Sequence, residues 1–519
     1  MPQPVQASTY TFRDIIENGC LYVDKTRYLY ELVRHGKGTY FLARPRRFGK
    51  SLMISTLEEI FLGNKTLFAG LWITGSDYNW QRYPIIRFDF SKNSVRSAAR
   101  LEQVLDYFLE TLALQHNLTL RGFDYQSRLD NLIQQLAAQG EKVVILVDEY
   151  DKPLIDNLDN LPEALLIREI LKNFYTVIKA LDRHLRFVFI TGISKFSKVG
   201  VFSSMNNLDD LTMDPRFATA LGITEAELRQ DFQEHLTLFA QQEGQTVDTL
   251  LQTIRNWYNG FCFVRECERV YNPYSTLQLF NKRYFANYWF ETGTPTFLTK
   301  LIKAEGYDIR NVETLELTEL GFSTYELERL EIIPLLFQTG YLTIKSYNPE
   351  RRLYQLGYPN QEVESAFLAH LLAAFNDVPK GINEGYLWQL IDALTQQDLA
   401  RFFAVLAVFF ADIDYDLHLA QEKYYQTIFY LLFRLMGITT NTEVKTNVGR
   451  IDAVVTLPEQ IFLFEFKLDQ SAAIALQQIK DRDYAAKYRG QGKSIILVGV
   501  NFDSRKRTVT EWVHEVDPR

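Results

Sequence analysis

The sequence predicts an α/β protein in three parts: a parallel sheet covered by helices, a helical middle region with a winged-helix-like element, and a smaller α/β region. Three observations predict it. Val143 to Val147 is a run of consecutive apolar residues, mostly β-branched, which fits a strand buried on both faces. Around it, strand-like runs alternate with helical periodicity as far as about Asp214, after which helical periodicity continues without strands. From Leu417 short strand patterns return. A length of 519 residues suits three or four domains, and the boundaries expected are 1–214, 215–410 and 411–519.

Thr39 to Ala43 is a short apolar run before a Gly-containing turn, and Ser51 to Leu62 follows with apolar residues at helical spacing, so the order is strand, loop, helix. Ile85 to Phe90 is a second strand. Val95 to Leu114, Gln126 to Ala138 and Leu161 to Leu181 read as helices, and Arg186 to Thr191 is the strand after Val143 to Val147. In the middle region Glu225 to Glu243 and Val247 to Tyr258 are helical. Leu327 to Gln338 reads as a helix leading into a hairpin of Gly340 to Ile344 and Leu353 to Leu356, which is the winged-helix-like element. Val363 to Phe375 and Tyr386 to Phe410 add helices. In the last region Gln421 to Leu435 is helical, Thr442 to Thr446, Ile451 to Thr456 and Ile461 to Lys467 are strands, Ala472 to Tyr488 is helical, and Ser494 to Asn501 is the final strand.

Composition narrows the function class. The chain is 47% hydrophobic and 23% charged, which is ample for packed cores. A formal net charge of -8 argues against a uniformly basic nucleic-acid coat and leaves local positive surfaces open. Cys20, Cys262 and Cys267 are too few for a disulfide framework and suit a reducing cytoplasm. Cys262 and Cys267 could share a zinc, but no second pair follows, so buried thiols are expected. Met1 to Tyr10 has no signal-peptide pattern, and the apolar run Phe402 to Ala411 is too short to span a bilayer.

The first candidate site is a phosphate loop. Arg44-Pro45-Arg46-Arg47-Phe48-Gly49-Lys50-Ser51 matches the pattern G-x-x-x-x-G-K-[ST] at its second glycine, its lysine and its hydroxyl, with Arg44 in place of the first glycine. In such a loop the backbone N–H groups of Arg46 to Lys50 turn toward phosphates at a helix N-terminus, the lysine reaches the terminal phosphates, and the hydroxyl holds magnesium. Arg46 and Arg47 either brace phosphates or form ion pairs. The strand Val143 to Val147 delivers Asp148-Glu149, an acidic pair of the kind a magnesium-dependent phosphohydrolase needs. Asp148 would hold the metal and Glu149 would polarise the attacking water. Ser194 and Lys195 follow the strand Arg186 to Thr191, at the end where parallel-sheet proteins bind ligands. Ser194 is either a sensor of the terminal phosphate or an ordinary loop serine.

The second candidate site lies on a strand. Glu465 and Lys467 are two apart and so share one face, while Phe464 and Phe466 face a core. With Asp452 on the preceding strand they give two metal-binding carboxylates and a lysine. Asp452 and Glu465 would hold Mg²⁺, with Mn²⁺ as the alternative, and Lys467 would stabilise charge on a phosphodiester or position the water. The alternative is a surface Glu–Lys pair across a strand. Glu422 is either an outer ligand or a helix-face carboxylate. Lys480, Arg482, Lys487, Arg489, Lys493 and Arg505 to Arg507 could track a nucleic-acid backbone, but the interleaved Asp481, Asp483 and Asp503 favour a solvated face.

The segments Tyr22-Val23-Asp24-Lys25-Thr26, Arg44 to Ser51, Val147-Asp148-Glu149-Tyr150-Asp151-Lys152-Pro153 and Thr191-Gly192-Ile193-Ser194-Lys195-Phe196-Ser197 together resemble the AAA-ATPase-like family of prokaryotic proteins. The C-terminal part resembles the PD-(D/E)XK nuclease superfamily domain that usually accompanies it. The resemblance spans nearly the whole chain. It implies a P-loop NTPase sheet first and a restriction-endonuclease-like α/β domain last, with Arg44 a family habit. It also implies that Asp452, Glu465 and Lys467 match the nuclease signature, with Gln478 where a helix residue supports it. Ile451 stands where the superfamily's name has proline, a position that varies widely.

The reading is therefore an enzyme: an ATPase controlling a metal-dependent nuclease that cleaves nucleic-acid phosphodiesters, DNA before RNA. The alternative is an ATP-dependent nucleic-acid-binding or signalling switch whose nuclease-like domain does not cut. The partners expected are ATP and nucleic acid, with homo-oligomerisation open and no membrane.

Overall fold

The computed structural model describes residues 2–518 apart from 196–200, 267, 290–295, 306, 308, 310–311, 313–314, 324–326, 329, 414–421, 441–442 and 446–452. Two compact units emerge, Met1–Phe297 with Glu316–Glu362, and Leu298–Leu315 with Val363–Arg519.

The first unit is built on five parallel strands, β1 (Gly38–Ala43), β2 (Ile85–Asp89), β3 (Val143–Asp148), β4 (Leu185–Gly192) and the short β5 (Asp209–Asp210), in the order β2-β3-β4-β1-β5. Every residue of β3 and β4 is buried, which is why neither strand alternates apolar with polar. On one face the helix Lys50–Phe61 brings Met53, Ile54, Leu57 and Phe61 into a core with Leu42, Val144, Leu146 and Phe187. On the other face Phe88 meets Phe174 of the helix Leu161–Ala180 edge-to-face at 4.9 Å, and Phe108 of the helix Ala98–Gln115 at 6.0 Å. Each such ring buried contributes about 2–3 kcal/mol.

The β4 strand lies between β1 and β3. The loops after β1, β3 and β4 therefore open at one edge of the sheet, and this placement, more than any local motif, assembles the first site.

The helix expected over Glu225 to Glu243 is two helices, Glu225–Asp231 and Gln233–Gln242. Phe232 breaks helical geometry at φ -107° and is buried against Phe280, their rings 4.9 Å apart. The winged-helix-like element is present as three antiparallel strands, β6 (Glu316–Leu317), β7 (Thr343–Asn348) and β8 (Leu353–Gly357), in the order β6-β8-β7. Its helix is Ile332–Thr339, shorter than expected because Glu331 is already extended.

The second unit holds β9 (Glu443–Lys445), β10 (Ala453–Thr456), β11 (Gln460–Leu468), β12 (Ser494–Asp503) and β13 (Thr508–Val516) in the order β13-β12-β11-β10-β9. β11 and β12 are parallel and the other pairs antiparallel. Ser494 to Asn501 is thus not the final strand. β13 has a largely exposed polar face, so it carries no apolar run for a sequence reading to find. The helix expected over Tyr386 to Phe410 divides into Lys380–Thr395 and Leu399–Ala411, with Gln397 left-handed at φ +60° and Asp398 capping the second by accepting the Arg401 N–H at 2.9 Å. The helix from Ala472 ends at Asp481 rather than Tyr488, with Asp483 at φ +44°.

Cys20 is a buried free thiol. Cys262 is disulfide-bonded, which corrects the expectation of a thiol there; Cys267 lies outside the described residues. Among the described residues no helix is long and apolar enough to cross a membrane.

Candidate functional site

After β1 the chain turns through Arg44 to Gly49 and enters the helix Lys50–Phe61. The turn needs two left-handed residues, Arg47 at φ +65° and Gly49 at φ +93°. Glycine carries the second without strain. Arg44 is buried, and its guanidinium donates to the carbonyls of Ala43 at 2.9 Å, Thr212 at 2.7 Å and Phe217 at 3.3 Å while lying 4.5 Å from the Phe263 ring centroid. Burial lowers its pKa to about 10. Arg44 thus braces the loop from beneath and ties it to the segment after β5, a task a glycine could not perform.

Lys50 is buried, and its ammonium donates to the carbonyls of Arg44 and Pro45, each at 2.9 Å. Burial lowers its pKa, opposed by the charges of Glu149, Asp148 and Asp151 in that order. The loop lysine and the acidic strand end are thereby electrostatic neighbours. Phe48 packs edge-on against Phe261 and Phe263, so only its backbone is available to a ligand. Arg47 turns outward to the Tyr288 carbonyl at 2.9 Å and the Tyr274 ring at 3.7 Å. Arg46 acts electrostatically on both Lys50 and Glu149, which keeps it with the phosphate-side groups.

Asp148, the last residue of β3, is buried and accepts the Thr191 hydroxyl of β4 at 2.8 Å. Glu149 follows in a left-handed conformation, φ +51°, which costs a non-glycine residue about 1 kcal/mol or more. Burial raises its pKa, with Lys50 pulling the other way. A carboxylate desolvated in this way is a stronger base than one in water.

Asp151, absent from the candidate set, is the best-held acid of the region. It is fully buried and accepts the N–H of Ile193 at 3.0 Å, the N–H of Ser194 at 2.7 Å and the Ser194 hydroxyl at 2.5 Å. Burial raises its pKa against these donors. Gly192 permits the approach, since a Cβ there would stand 2.6 Å from the Tyr150 ring and 2.8 Å from the Asp151 carboxylate. The signal for Asp151 was its place in Asp148-Glu149-Tyr150-Asp151, a second acid one turn after a buried strand. The Ser194 hydroxyl is therefore engaged by Asp151, while Lys195 pairs with Asp210 at 2.5 Å.

Beside the loop lies a cavity lined among others by Tyr22, Lys25, Phe48, Gly49, Leu52 and Leu221. Lys25 bridges its wall, donating to the Thr219 carbonyl at 2.8 Å and to Glu227 at 2.7 Å. Its lining is largely apolar.

In the second unit Glu465 and Lys467 share a face of β11 as expected, 3.2 Å apart at Oε1 and Nζ. The opposite face is aromatic: Phe464 meets Phe402 and Phe433 at 5.6 and 5.1 Å, and Phe466 stacks on Phe429 at 4.2 Å. Gln478, on the helix Ala472–Asp481, donates to the same Glu465 oxygen. That helix comes close because Gly499, beside Glu465 in the β11–β12 register, has no side chain; a Cβ there would stand 2.3 Å from the Ala472 carbonyl. Asp452 lies outside the described residues, as does the side chain of Glu422.

Among the described residues no three His, Cys, Asp or Glu form a metal-holding group. Of the residues expected to hold metal, Glu465 lies on β11, Ser51 in the first turn of the helix Lys50–Phe61 and Asp148 at the end of β3. Of the basic residues beyond the site, Lys480 pairs with Glu515, Arg489 with Asp483 and Asp517, and Lys493 binds the Leu457 carbonyl at 2.9 Å. That fits the solvated-face reading.

A parallel sheet with β4 between β1 and β3, a lysine-bearing loop after β1 and an acidic end to β3 define a P-loop ATPase-like module, here on one chain with a mixed-sheet α/β unit. Residues 6–202 match a family described as a predicted AAA-ATPase, and residues 420–512 match the PD-(D/E)XK nuclease superfamily. The chain is 39% identical over 505 residues, 95% of each chain, to an uncharacterized protein in the vnfD 5' region of Azotobacter chroococcum mcd 1, and it belongs to that family of AAA-ATPase-like proteins with a nuclease-superfamily domain. Two solved structures overlap it loosely. Orc1 from Aeropyrum pernix, in complex with DNA, has a TM-score of 0.25 and 14% identity over 66% of this chain and 90% of that one. Cdc6p from Pyrobaculum aerophilum has a TM-score of 0.24 and 10% identity over 66% and 89%. Overlaps this loose carry nothing about function.

Proposed function

We propose that the first unit binds and hydrolyses ATP with magnesium, and that the second is a metal-dependent nuclease whose cleavage of nucleic acid, DNA first, is regulated by ATP. One observation carries the first half: the buried ammonium of Lys50, at the start of the helix after β1, lies among the charges of Glu149, Asp148 and Asp151 at the end of β3. Lys50 and the backbone N–H groups of Arg46, Phe48 and Gly49 would hold the phosphates, with Arg46 adding charge. Ser51 and Asp148 would hold magnesium, which when bound supplies Lewis acidity at the terminal phosphate. Glu149, its basicity raised by burial, would take the proton of the attacking water. Ser194, set by Asp151, would report on the terminal phosphate.

For the second half, Glu465 with Asp452 would hold Mg²⁺ or Mn²⁺, and Lys467 would neutralise charge on the scissile phosphate. Gln478 fixes the Glu465 carboxylate in place. ATP control is motivated by the two modules sharing one chain.

The test is cleavage of single-stranded DNA, double-stranded DNA and RNA with magnesium, with and without ATP, in the wild type, Lys50→Ala, Glu465→Gln and Lys467→Ala. Loss of cleavage in the last two supports the nuclease. No cleavage by any form, with ATP hydrolysis intact, favours the switch with a non-cutting domain. Equal cleavage with and without ATP and in Lys50→Ala removes the regulation.

A further inference from the structure

The phosphate loop is gripped on its outer side by residues far along the chain. Trp289 donates its indole N–H to the Arg46 carbonyl at 3.1 Å, and Arg47 returns the contact by donating to the Tyr288 carbonyl at 2.9 Å. The Trp289 backbone N–H is anchored in turn on Glu362 at 2.7 Å, a buried carboxylate that also accepts the Ser275 hydroxyl at 2.8 Å. Alongside, the helix Ile332–Thr339 ends at Gly340 in the left-handed region, φ +92°. A Cβ at Gly340 would stand 2.7 Å from Pro45 Cβ and 3.5 Å from the Trp289 ring. Two residues earlier, the Gln338 side chain accepts the Lys195 backbone N–H at 2.7 Å and donates to the Ser323 carbonyl at 2.7 Å.

One corner of the winged-helix-like element therefore touches both the phosphate loop, at Pro45, and the loop after β4, at Lys195, while Trp289 beside it holds Arg46. Within the phosphate loop the Lys50 ammonium is bonded to the carbonyls of Arg44 and Pro45. A phosphate that takes this ammonium takes it from those carbonyls, and Pro45 is the residue packed on Gly340.

We propose that the corner Gln338 to Gly340, together with Trp289, is a clamp on the phosphate loop, and that triphosphate binding and release of this corner are one equilibrium. The inference rests on the nucleotide reading above. Phosphates draw Lys50 off its two carbonyls, Pro45 and Arg46 shift with them, and the corner loosens. Linkage then makes the converse hold: loosening the corner tightens nucleotide binding. Trp289 and Gln338 are positioning residues in this scheme.

The test titrates a fluorescent ATP analogue with magnesium into the full chain. The proteins are the wild type, Trp289→Phe, which keeps a ring but removes the indole N–H, Gln338→Ala and Lys50→Ala. Amide exchange of residues 332–345 is followed in the wild type with and without nucleotide. Each clamp variant is expected to bind about fivefold more tightly, and wild-type exchange over 332–345 is expected to quicken with nucleotide. If the wild type binds and Lys50→Ala does not, yet the clamp variants bind equally or more weakly, the clamp is overturned and the nucleotide reading stands. Unchanged wild-type exchange on binding overturns the clamp without recourse to any variant. Absence of binding by the wild type overturns both.

Discussion

The two candidate sites place their acids by opposite means. At the first, Asp148 and Asp151 are held by donors from a different strand and its loop, Thr191, Ile193 and Ser194, all reached through the pairing of β3 with β4. At the second, Glu465 is held by Lys467 on its own strand and by Gln478 on the next helix. Parallel pairing aligns the first site as a by-product of building the sheet. The second depends on how closely one helix can lie over one glycine. The first should thus be fragile to loss of a buried acceptor, and the second to addition of a single carbon.

The largest effect expected is at Asp151. Asp151→Ala leaves two backbone N–H groups and a hydroxyl buried without their acceptor, and should destabilise the first unit by about 3 kcal/mol or more in urea unfolding. Nucleotide binding should fall with it while any cleavage measured without ATP survives. Equal loss of both would break the contrast, because the second site would then lean on the first. Next is Gly499→Ala. Its Cβ must push back the Ala472 carbonyl, costing about 2 kcal/mol, and should abolish cleavage with ATP binding unchanged. Retained cleavage would show that Gln478 does not position Glu465.

A third test concerns Glu362, an acid outside both sites whose carboxyl burial pushes up to about 8 from an ordinary 4.5. The folded chain holds this proton more tightly than the unfolded one. Its stabilising contribution is therefore whole below about pH 4.5 and is lost as pH rises through about 8. Glu362→Gln lacks that titration and should gain on the wild type by about 4 kcal/mol between about pH 5 and about pH 9. A difference that stays flat across this window would place the carboxyl in a wetter setting. The smallest effect expected is at Lys480, whose partner Glu515 is exposed. Lys480→Ala should change stability by less than about 0.5 kcal/mol and leave the salt dependence of DNA binding as it was. A marked fall in that dependence would return this helix face to nucleic-acid contact.

Much of the architecture could be read from residue order alone. The buried strand at Val143, the lysine-bearing turn after Thr39 to Ala43 and the Glu465–Lys467 pair are local patterns, and a periodicity of two or of 3.6 reports them directly. What escaped was non-local or weakly patterned. Asp151 gains its place only when β3 and β4 lie side by side. Arg44 looked like a missing glycine until its bonds to the distant carbonyls of Thr212 and Phe217 were in view. The breaks at Phe232 and Gln397 arise because burial of one ring, or a cap by Asp398, outweighs continuation of a helix. β13 stayed hidden because an edge strand with an exposed polar face has no apolar signature.

The helix Ile332–Thr339 has its residues from Ile332 to Gln338 buried. In proteins that read a duplex through a winged helix, the corresponding helix lies open to the major groove with polar side chains aimed at base edges. This one offers the groove nothing, having turned inward toward ATPase-like machinery. Any grip this chain takes on a double helix must come from other surfaces and be indifferent to base order at this element.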